Sequence, residues 1–218
     1  MPEIVRAQVS QWLQGIAAGV LDLRRDNEGF AAAALEALRA PAAQDIERTP
    51  MPTLAPSPDV LPSAFLREIV DPALSTLSIL AGTPSDDRAR VIVLAIAGQE
   101  SAWKDRRQRG GPARSFWQFE KGGGVAQLFK HTPDQLRAVC AALSIPFDQT
   151  TVFEAMAWND DLAGAMARLL LWTDSRPLPQ VGDEAGAWNY YLDNWRPGAP
   201  HPEAWPGNYG KALAAITA

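Results

Sequence analysis

Apolar residues recur three and four positions apart along most of the chain after residue 62, which is the spacing of one face of an α-helix. No run alternates between apolar and polar residues in the way that indicates a strand. The pattern therefore predicts a mainly α fold. The predicted helices cover residues 63–80, about 83–104, a segment near 125, a segment beginning at 132, 152–173 and 184–193.

Two short motifs mark expected helix starts. Thr83-Pro84-Ser85-Asp86 places a capping residue before a proline and then an acidic residue, an order favoured at a helix N-terminus. Thr132-Pro133-Asp134-Gln135 repeats this order. Each motif predicts a helix that is capped by its threonine.

The first sixty residues differ in composition from the rest of the chain. Residues 9–39 are rich in Ala and Leu and are interrupted by the polar stretch 24–29, which predicts a pair of helices. Prolines then crowd residues 41–61, where helix and central strand are both disfavoured. We predict an N-terminal helical segment at 1–40, a Pro-rich linker at 41–61, and a helical domain at 62–218. Its Trp-, Pro- and Gly-rich tail either folds over the domain or offers a docking surface.

Glycines flank an aromatic segment between two predicted helices. Gly110 and Gly111 precede Ser115-Phe116-Trp117-Gln118-Phe119, and Gly122 to Gly124 follow it. This arrangement predicts a loop or small hairpin whose backbone approaches a ligand closely. The glycine run lacks the Lys-Ser/Thr signature and preceding strand of a phosphate loop, so nucleotide binding is not expected.

Composition narrows the classes of function. With 218 residues, 47% of them hydrophobic, the chain can bury a sizeable core, and a net charge of −5 argues against a protein that coats nucleic acid. Cys140 is the only cysteine and is expected to be buried in a helix, while His131 and His201 lie far apart. We therefore expect no cofactor, no metal site and no Ser-His-Asp triad. The start of the chain lacks the pattern of a secretory signal, and no apolar run approaches the length of about 20 residues that a membrane span needs.

One carboxylate continues an apolar stripe. In the predicted helix over residues 90–103, Glu100 follows Ile96 by four positions and Val93 by seven, so it shares their face. Partial desolvation there would raise the pKa of the carboxyl group and let it keep its proton near neutral pH, as a general acid requires. The alternative interpretation is that the helix emerges into solvent at Gln99 and Glu100.

Three motifs occur in an order that is typical of one protein family. Residues 95–101, Ala-Ile-Ala-Gly-Gln-Glu-Ser, resemble the helix end that carries the catalytic Glu-Ser of soluble lytic transglycosylases and goose-type lysozymes. Ser115-Phe116-Trp117-Gln118 resembles their Gly-Leu-Met-Gln segment, and Ala187-Trp188-Asn189-Tyr190 resembles their Ala-Tyr-Asn-Ala-Gly stretch. The resemblance covers about residues 84–195. Together with the Trp-rich tail, these segments are most similar to lysozyme-like proteins of tailed bacteriophages.

The resemblance implies a fold, a function and a set of site residues. The fold is a lysozyme-like helical domain, and the function is cleavage of the glycan strands of peptidoglycan by a lytic transglycosylase or muramidase. Glu100 would be the catalytic acid. The implied substrate-binding residues are Ser101, Trp117, Gln118, Asn189 and Tyr190. Of these, Trp117 is the best candidate for stacking on a sugar, whereas Trp103, Trp158 and Trp172 are expected in the core.

A second carboxylate distinguishes the two chemistries. In transglycosylase-like enzymes the substrate's own N-acetyl group can assist and the product closes into an anhydro-sugar, whereas inverting hydrolases use a second carboxylate to activate water. Asp105 and Glu120 are the nearest candidates in sequence. Both are interpreted as solvated loop charges, which favours the transglycosylase.

Two other functions fit the same residues. Ser115 stands where the family has Gly, and Tyr190-Tyr191 replace an Ala-Gly pair. These departures favour an inactive structural or adaptor protein of a phage virion or tail that retains the lysozyme-like fold; a third possibility is a pure glycan-binding module. A virion would also carry a chain without a signal peptide to the host cell envelope and its periplasm. Residues 1–61 are the expected contact with other virion or tail proteins.

Overall fold

The computed structural model describes residues 61–217 and is mainly helical in that range, as predicted. Within these residues it has nine α-helices and no β-strand. A π-helical turn, Leu66–Val70, joins the first two helices, and a similar one-turn segment, Lys121–Val125, precedes the fourth. The predicted helical pair at 1–40 and the predicted linker, up to residue 60, lie outside the described residues. The helices are α1 (Pro62–Phe65), α2 (Asp71–Ala81), α3 (Asp87–Ser101), α4 (Ala126–His131), α5 (Pro133–Ala142), α6 (Gln149–Ala155), α7 (Asp160–Trp172), α8 (Glu184–Trp195) and α9 (Trp205–Thr217).

The first helical stretch matches its prediction. Pro62 opens α1, where the missing N–H of proline costs no hydrogen bond. Gly82 ends α2 with φ 63°, a left-handed conformation that glycine adopts without steric cost, and its N–H donates to the carbonyl of Ser78 at 3.0 Å. The helical run 63–80 is confirmed, and it extends one residue further at each end.

The predicted threonine cap is wrong at the first motif, whereas at the second Thr132 does occupy the N-cap position. The N-cap of α3 is Asp86, whose carboxylate accepts from the N–H of Ala89 at 3.1 Å, because a negative charge binds a helix N-terminus more strongly than a hydroxyl does. Helix α5 begins at Pro133 as predicted. The hydroxyl of Thr132, however, donates back to the carbonyl of Leu128 at 3.2 Å instead of accepting from the N–H groups of α5.

Two helices form the centre of the domain. Residues 91–98 of α3 and residues 162–171 of α7 are buried without interruption. Helix α2 packs on α7 at Gly164, where an added Cβ would lie 2.6 Å from the Cβ of Ala73. Cys140 is buried in α5, as expected.

The single helix predicted over 152–173 is two helices, α6 and α7. Asn159 interrupts the run because its side-chain oxygen accepts from the N–H of Leu162 at 2.9 Å and starts a new helix. The break turns Trp158 into solvent, where it is 65% exposed, and Trp172 at the end of α7 is also exposed. The core placement predicted for these two tryptophans is therefore wrong, while that of Trp103 is confirmed.

The C-terminal segment folds over the domain, which is one of the two alternatives expected for it. It contains helix α9, which packs along α3 and buries Trp205 and Tyr209. Among residues 61–217, no helix combines the length and the apolar character that crossing a membrane would require.

Candidate active site

Glu100 lies one residue before the end of α3, and its carboxyl group is largely enclosed. Burial raises the pKa of this group to about 7, although a hydrogen bond from Tyr191 lowers it in part. The hydroxyl of Tyr191 donates to Oε1 of Glu100 at 2.6 Å. As the periodicity predicts, Glu100 is a desolvated carboxyl group, and its raised pKa lets it keep a proton near neutral pH.

A tight reversal fixes the end of α3. Ala102 and Trp103 both adopt left-handed backbone conformations, with φ values of 51° and 59°. The turn folds Trp103 back along its own helix, where the indole N–H donates to the carbonyl of Leu94 at 3.0 Å. Gly98 makes this possible, because a Cβ at that position would overlap the indole ring. The position of Glu100 therefore depends on the packing of Trp103 against Gly98.

Three aromatic side chains from α8 and α9 pack around Tyr191 and hold it against Glu100; together with Tyr191 they form what we name the aromatic cluster. The ring of Tyr191 stacks on that of Trp205, with centroids 5.3 Å apart and an angle of 13° between the planes. Trp188 lies 5.4 Å from each of these rings, and Tyr209 completes the cluster at 5.9 Å from Trp205. Because Tyr191 and Trp205 are both 2% exposed, the hydroxyl that meets Glu100 comes from a fixed, apolar wall.

Gln99 ties the C-terminal segment to the same helix end. Its side-chain N–H donates to the carbonyl of His201 at 2.9 Å, and its side-chain oxygen accepts from Asn208 at 2.9 Å. Both polar ends of the amide are thus bonded to residues that follow α8. This contact, next to Glu100 in the chain, fixes α9 along α3.

The predicted loop after α3 is present and resembles a very small hairpin. Isolated antiparallel bridges pair Arg107 with Arg114 and Arg114 with Phe119. Ser115 and Gln118 both have left-handed backbones, with φ values of 68° and 49°. A glycine adopts this conformation most easily, so a serine at position 115 holds a backbone conformation that is unfavourable for its side chain.

Gln118 organises this loop. Its side-chain amide donates to the carbonyl of Ser115 at 2.7 Å and to that of Asp105 at 3.0 Å. The amide hydrogens are therefore engaged inside the loop. A substrate contact by Gln118, which stays a prediction, would have to use its side-chain oxygen.

The stacking role predicted for Trp117 is wrong. Trp117 is 0% exposed, and its indole N–H donates to the carbonyl of Val93 at 2.9 Å. Its ring makes edge contacts with Phe65 and Phe116 in the core. No face of the ring is left for a sugar, because the loop turns Trp117 inward beneath α3.

The other side chains predicted to bind substrate either point away from Glu100 or are hydrogen-bonded within the chain. The hydroxyl of Ser101 donates to the carbonyl of Ala97 at 3.1 Å, within its own helix. Asn189 is exposed, and helical geometry places it about 200° around α8 from Tyr191, away from the side that meets Glu100. Tyr190 is buried, and its hydroxyl donates to the carbonyl of Leu171 at 3.0 Å. The predicted groove position of Tyr190 is therefore wrong, because the face that meets Glu100 is that of Tyr191, whereas a substrate contact by the exposed Asn189 stays a prediction.

Asp105 and Glu120 lie outside this arrangement. Asp105 is 39% exposed and pairs with Arg109 at 3.4 Å, and Glu120 is exposed beside the glycine run. In the part of the chain that the structure describes, no group of three His, Cys, Asp or Glu side chains is arranged to hold a metal ion. The chemistry that the described residues offer at this place is that of one protonated carboxyl group and its hydroxyl partner.

Comparison of the chain with protein-family models, with curated proteins and with solved structures gives no match.

Sequence reasoning missed Tyr191, whose hydroxyl is hydrogen-bonded to Glu100. A signal was present in the spacing of Trp188, Tyr191 and Trp195, which share one face of α8 at intervals of three and four residues. The motif resemblance predicted contacts at positions 189 and 190 instead. A one-residue difference on a helix changes the direction of a side chain by about 100°.

Proposed function

We propose that this chain cleaves the glycan strands of bacterial peptidoglycan and that Glu100 is the general acid. One observation carries the proposal. Glu100 is a largely enclosed carboxyl group with a pKa of about 7, and the hydroxyl of Tyr191 donates to one of its oxygens. A protonated carboxyl group with one free oxygen is what protonation of a glycosidic oxygen requires.

The hydrogen bond assigns different roles to the two oxygens of Glu100. Since Oε1 accepts from Tyr191, the transferable proton resides on Oε2. When the proton moves to the leaving oxygen of the sugar, the same hydrogen bond stabilises the carboxylate that forms. The buried aromatic cluster behind Tyr191 keeps water from competing for that bond.

The transglycosylase route fits these residues better than the hydrolase route. Asp105 is exposed and paired with Arg109, and Glu120 is exposed, so neither has the support that a positioned base needs. In the transglycosylase route a hydroxyl of the substrate attacks the sugar carbon, its proton passes to Glu100, and an anhydro-sugar forms without water. Mass spectrometry of digested sacculi distinguishes the routes, because anhydro products weigh one water less. Hydrolysed ends alone would refute the transglycosylase and leave Glu100 as the acid.

The acid role is tested by Glu100→Gln on purified sacculi. The amide has nearly the same size and can accept from Tyr191, but it has no proton to give, so we expect release of soluble fragments to stop. Glu68→Gln makes the same chemical change at a carboxylate that is 66% exposed and should keep wild-type activity. Wild-type turnover by folded Glu100→Gln would contradict the proposal.

A second candidate is an inactive structural or adaptor protein of a phage virion. It is favoured because several side chains predicted to bind substrate make contacts within the chain instead: Trp117 is buried, and Ser101 and Gln118 donate to backbone carbonyls. This candidate predicts that wild-type protein releases no soluble fragments from sacculi, whether or not it binds to them. Turnover that Glu100→Gln abolishes would exclude it.

Delivery to the host envelope is proposed for residues 1–61, on the composition break in the sequence. A virion-borne protein would need such a segment to bind its virion or tail partners, whereas the acid and its partner both lie in residues 62–218. Truncation to 62–218 is expected to leave activity on soluble glycan unchanged. A folded truncated chain with a large loss of activity would contradict this division of roles.

A further inference from the structure

A cleft of about 550 Å³ lies far from Glu100, where the start of α3 meets the end of α7. Asp86 and Arg88 line it at one end of α3, and Glu100 lies at the other end, about 20 Å away. Arg168 and Trp172 of α7 form another wall, and Tyr190 a third. The cleft is therefore separate from the candidate active site.

Arg168 is the unusual side chain in this cleft. It is 3% exposed, and its Nη2 donates to the carbonyl of Pro84 at 3.2 Å. Its Nε and Nη1 are buried and have no hydrogen-bond partner among the described residues. A buried guanidinium with unsatisfied donors is unfavourable, because it has lost the water that would otherwise bind it.

The other charges in the cleft are already paired. Arg88 donates to Asp86 at 2.8 and 2.6 Å, and Arg176 donates to Asp174 at 2.6 Å. The opposite charges within each of these two arginine–aspartate pairs cancel, and Arg168 adds one positive charge. Burial lowers the pKa of Arg168, but its ordinary value is so high that the guanidinium stays charged at neutral pH. The lining of the cleft thus carries one unpaired positive charge.

Apolar surface lies beside that charge. The guanidinium carbon of Arg168 is 5.3 Å from the centre of the Trp172 ring, and this ring is 43% exposed. Pro84, Leu171 and Leu178 also line the cleft. An exposed tryptophan over a buried cation combines an aromatic platform with a binding group for negative charge.

We propose that this cleft binds an oxyanion, a carboxylate or a phosphate, carried on an apolar body, with Arg168 as the anion-binding group. Guanidinium N–H groups donate charge-assisted hydrogen bonds to both oxyanions, and Nε and Nη1 of Arg168 are the donors left for one. Because Trp172 covers the guanidinium, its ring shifts when the anion enters and then packs against the apolar body of the ligand.

The test follows the indole N–H signal of Trp172 in NMR spectra of the ¹⁵N-labelled full chain, assigned with Trp172→Phe. The probes are N-acetylphenylalanine as its carboxylate, the corresponding neutral amide, and inorganic phosphate, all at constant ionic strength. We expect the carboxylate to shift the signal saturably and the amide to leave it unchanged. Weaker binding of phosphate than of the carboxylate supports the contact of the apolar body with Trp172, whereas equal binding of the two would overturn that contact.

Two variants separate the site from general charge effects. Arg168→Met is expected to weaken carboxylate binding at least about tenfold, while Arg67→Gln removes the same charge at a residue that is 71% exposed and should bind like wild type. Equal binding by Arg168→Met and wild type would overturn the proposal. If Arg168→Met does not fold, wild-type protein decides alone, because a flat titration or equal responses to carboxylate and amide would also overturn it.

Discussion

Folding stability should fall as the pH rises through the range in which Glu100 ionises. The pKa of this carboxyl group is about 7 in the folded chain, against an ordinary value of 4.5. Between these values the folded chain keeps a proton that the unfolded chain has released, so a rise in pH favours unfolding. The contribution of Glu100 to stability is fully present below pH 4.5 and is lost as the pH rises through about 7.

The size of this effect follows from the two pKa values. A rise from 4.5 to about 7 corresponds to about 3 kcal/mol of unfolding free energy, which is substantial for a domain whose total stability is about 5–15 kcal/mol. Glu100→Gln removes the effect without removing the side chain. Its amide never ionises over this range, and its oxygen can still accept from Tyr191.

The assay is urea unfolding, followed by circular dichroism, at a series of pH values from 4.5 to 8.5. Glu100→Gln should gain about 3 kcal/mol in unfolding free energy relative to wild type across this series. Glu68→Gln, which removes an exposed carboxylate, should instead follow the wild-type curve. If the unfolding free energies of wild type and Glu100→Gln changed in parallel with pH, the reasoning would be refuted, because the pKa of Glu100 would then be the same in the folded and unfolded chains.

Two further predictions concern the surroundings of Glu100. Tyr191→Phe removes the hydrogen bond that lowers the pKa of Glu100, so the basic limb of the pH–activity profile should move up by about one pH unit; Tyr190→Phe should leave it in place. Gly98→Ala should lower stability by about 1–3 kcal/mol in thermal unfolding, because its Cβ would overlap an indole ring. Gly210→Ala, where an added Cβ meets nothing, should raise stability by up to about 1 kcal/mol, and a similar loss in both alanine variants would contradict the packing argument.

Hydrophobic periodicity predicted the features that depend on a single helix, namely which face is buried and where the helix begins and ends. The stripe through Val93 and Ile96 placed Glu100 on a buried face, and burial of that face is sufficient to raise the pKa of a carboxyl group. The helical run predicted at 63–80 lies within one residue of the observed bounds at each end. These features depend on local backbone preferences and on which residues avoid water.

The partners of Glu100 depended on distant parts of the chain and could not be predicted in the same way. Tyr190 and Tyr191 are chemically identical, and the packing of α8 against two other helices determines which hydroxyl meets the carboxylate. Trp117 was misplaced for a related reason, because loop tryptophans bind sugars and fill cores with the same surface. Motif order located the segments but not the directions of their side chains.

The contact between α9 and α3 also has a consequence for how the protein is made. Tyr191, which donates to Glu100, stacks on Trp205, a residue more than a hundred positions after Glu100 in the chain. During synthesis, α3 leaves the ribosome well before the residues that enclose its end, so Glu100 is first a solvated and ionised carboxylate. The hydrogen bond from Tyr191 to Glu100 therefore forms only after α8 has been synthesised, and the stack of Tyr191 on Trp205 only after residue 205 has been added.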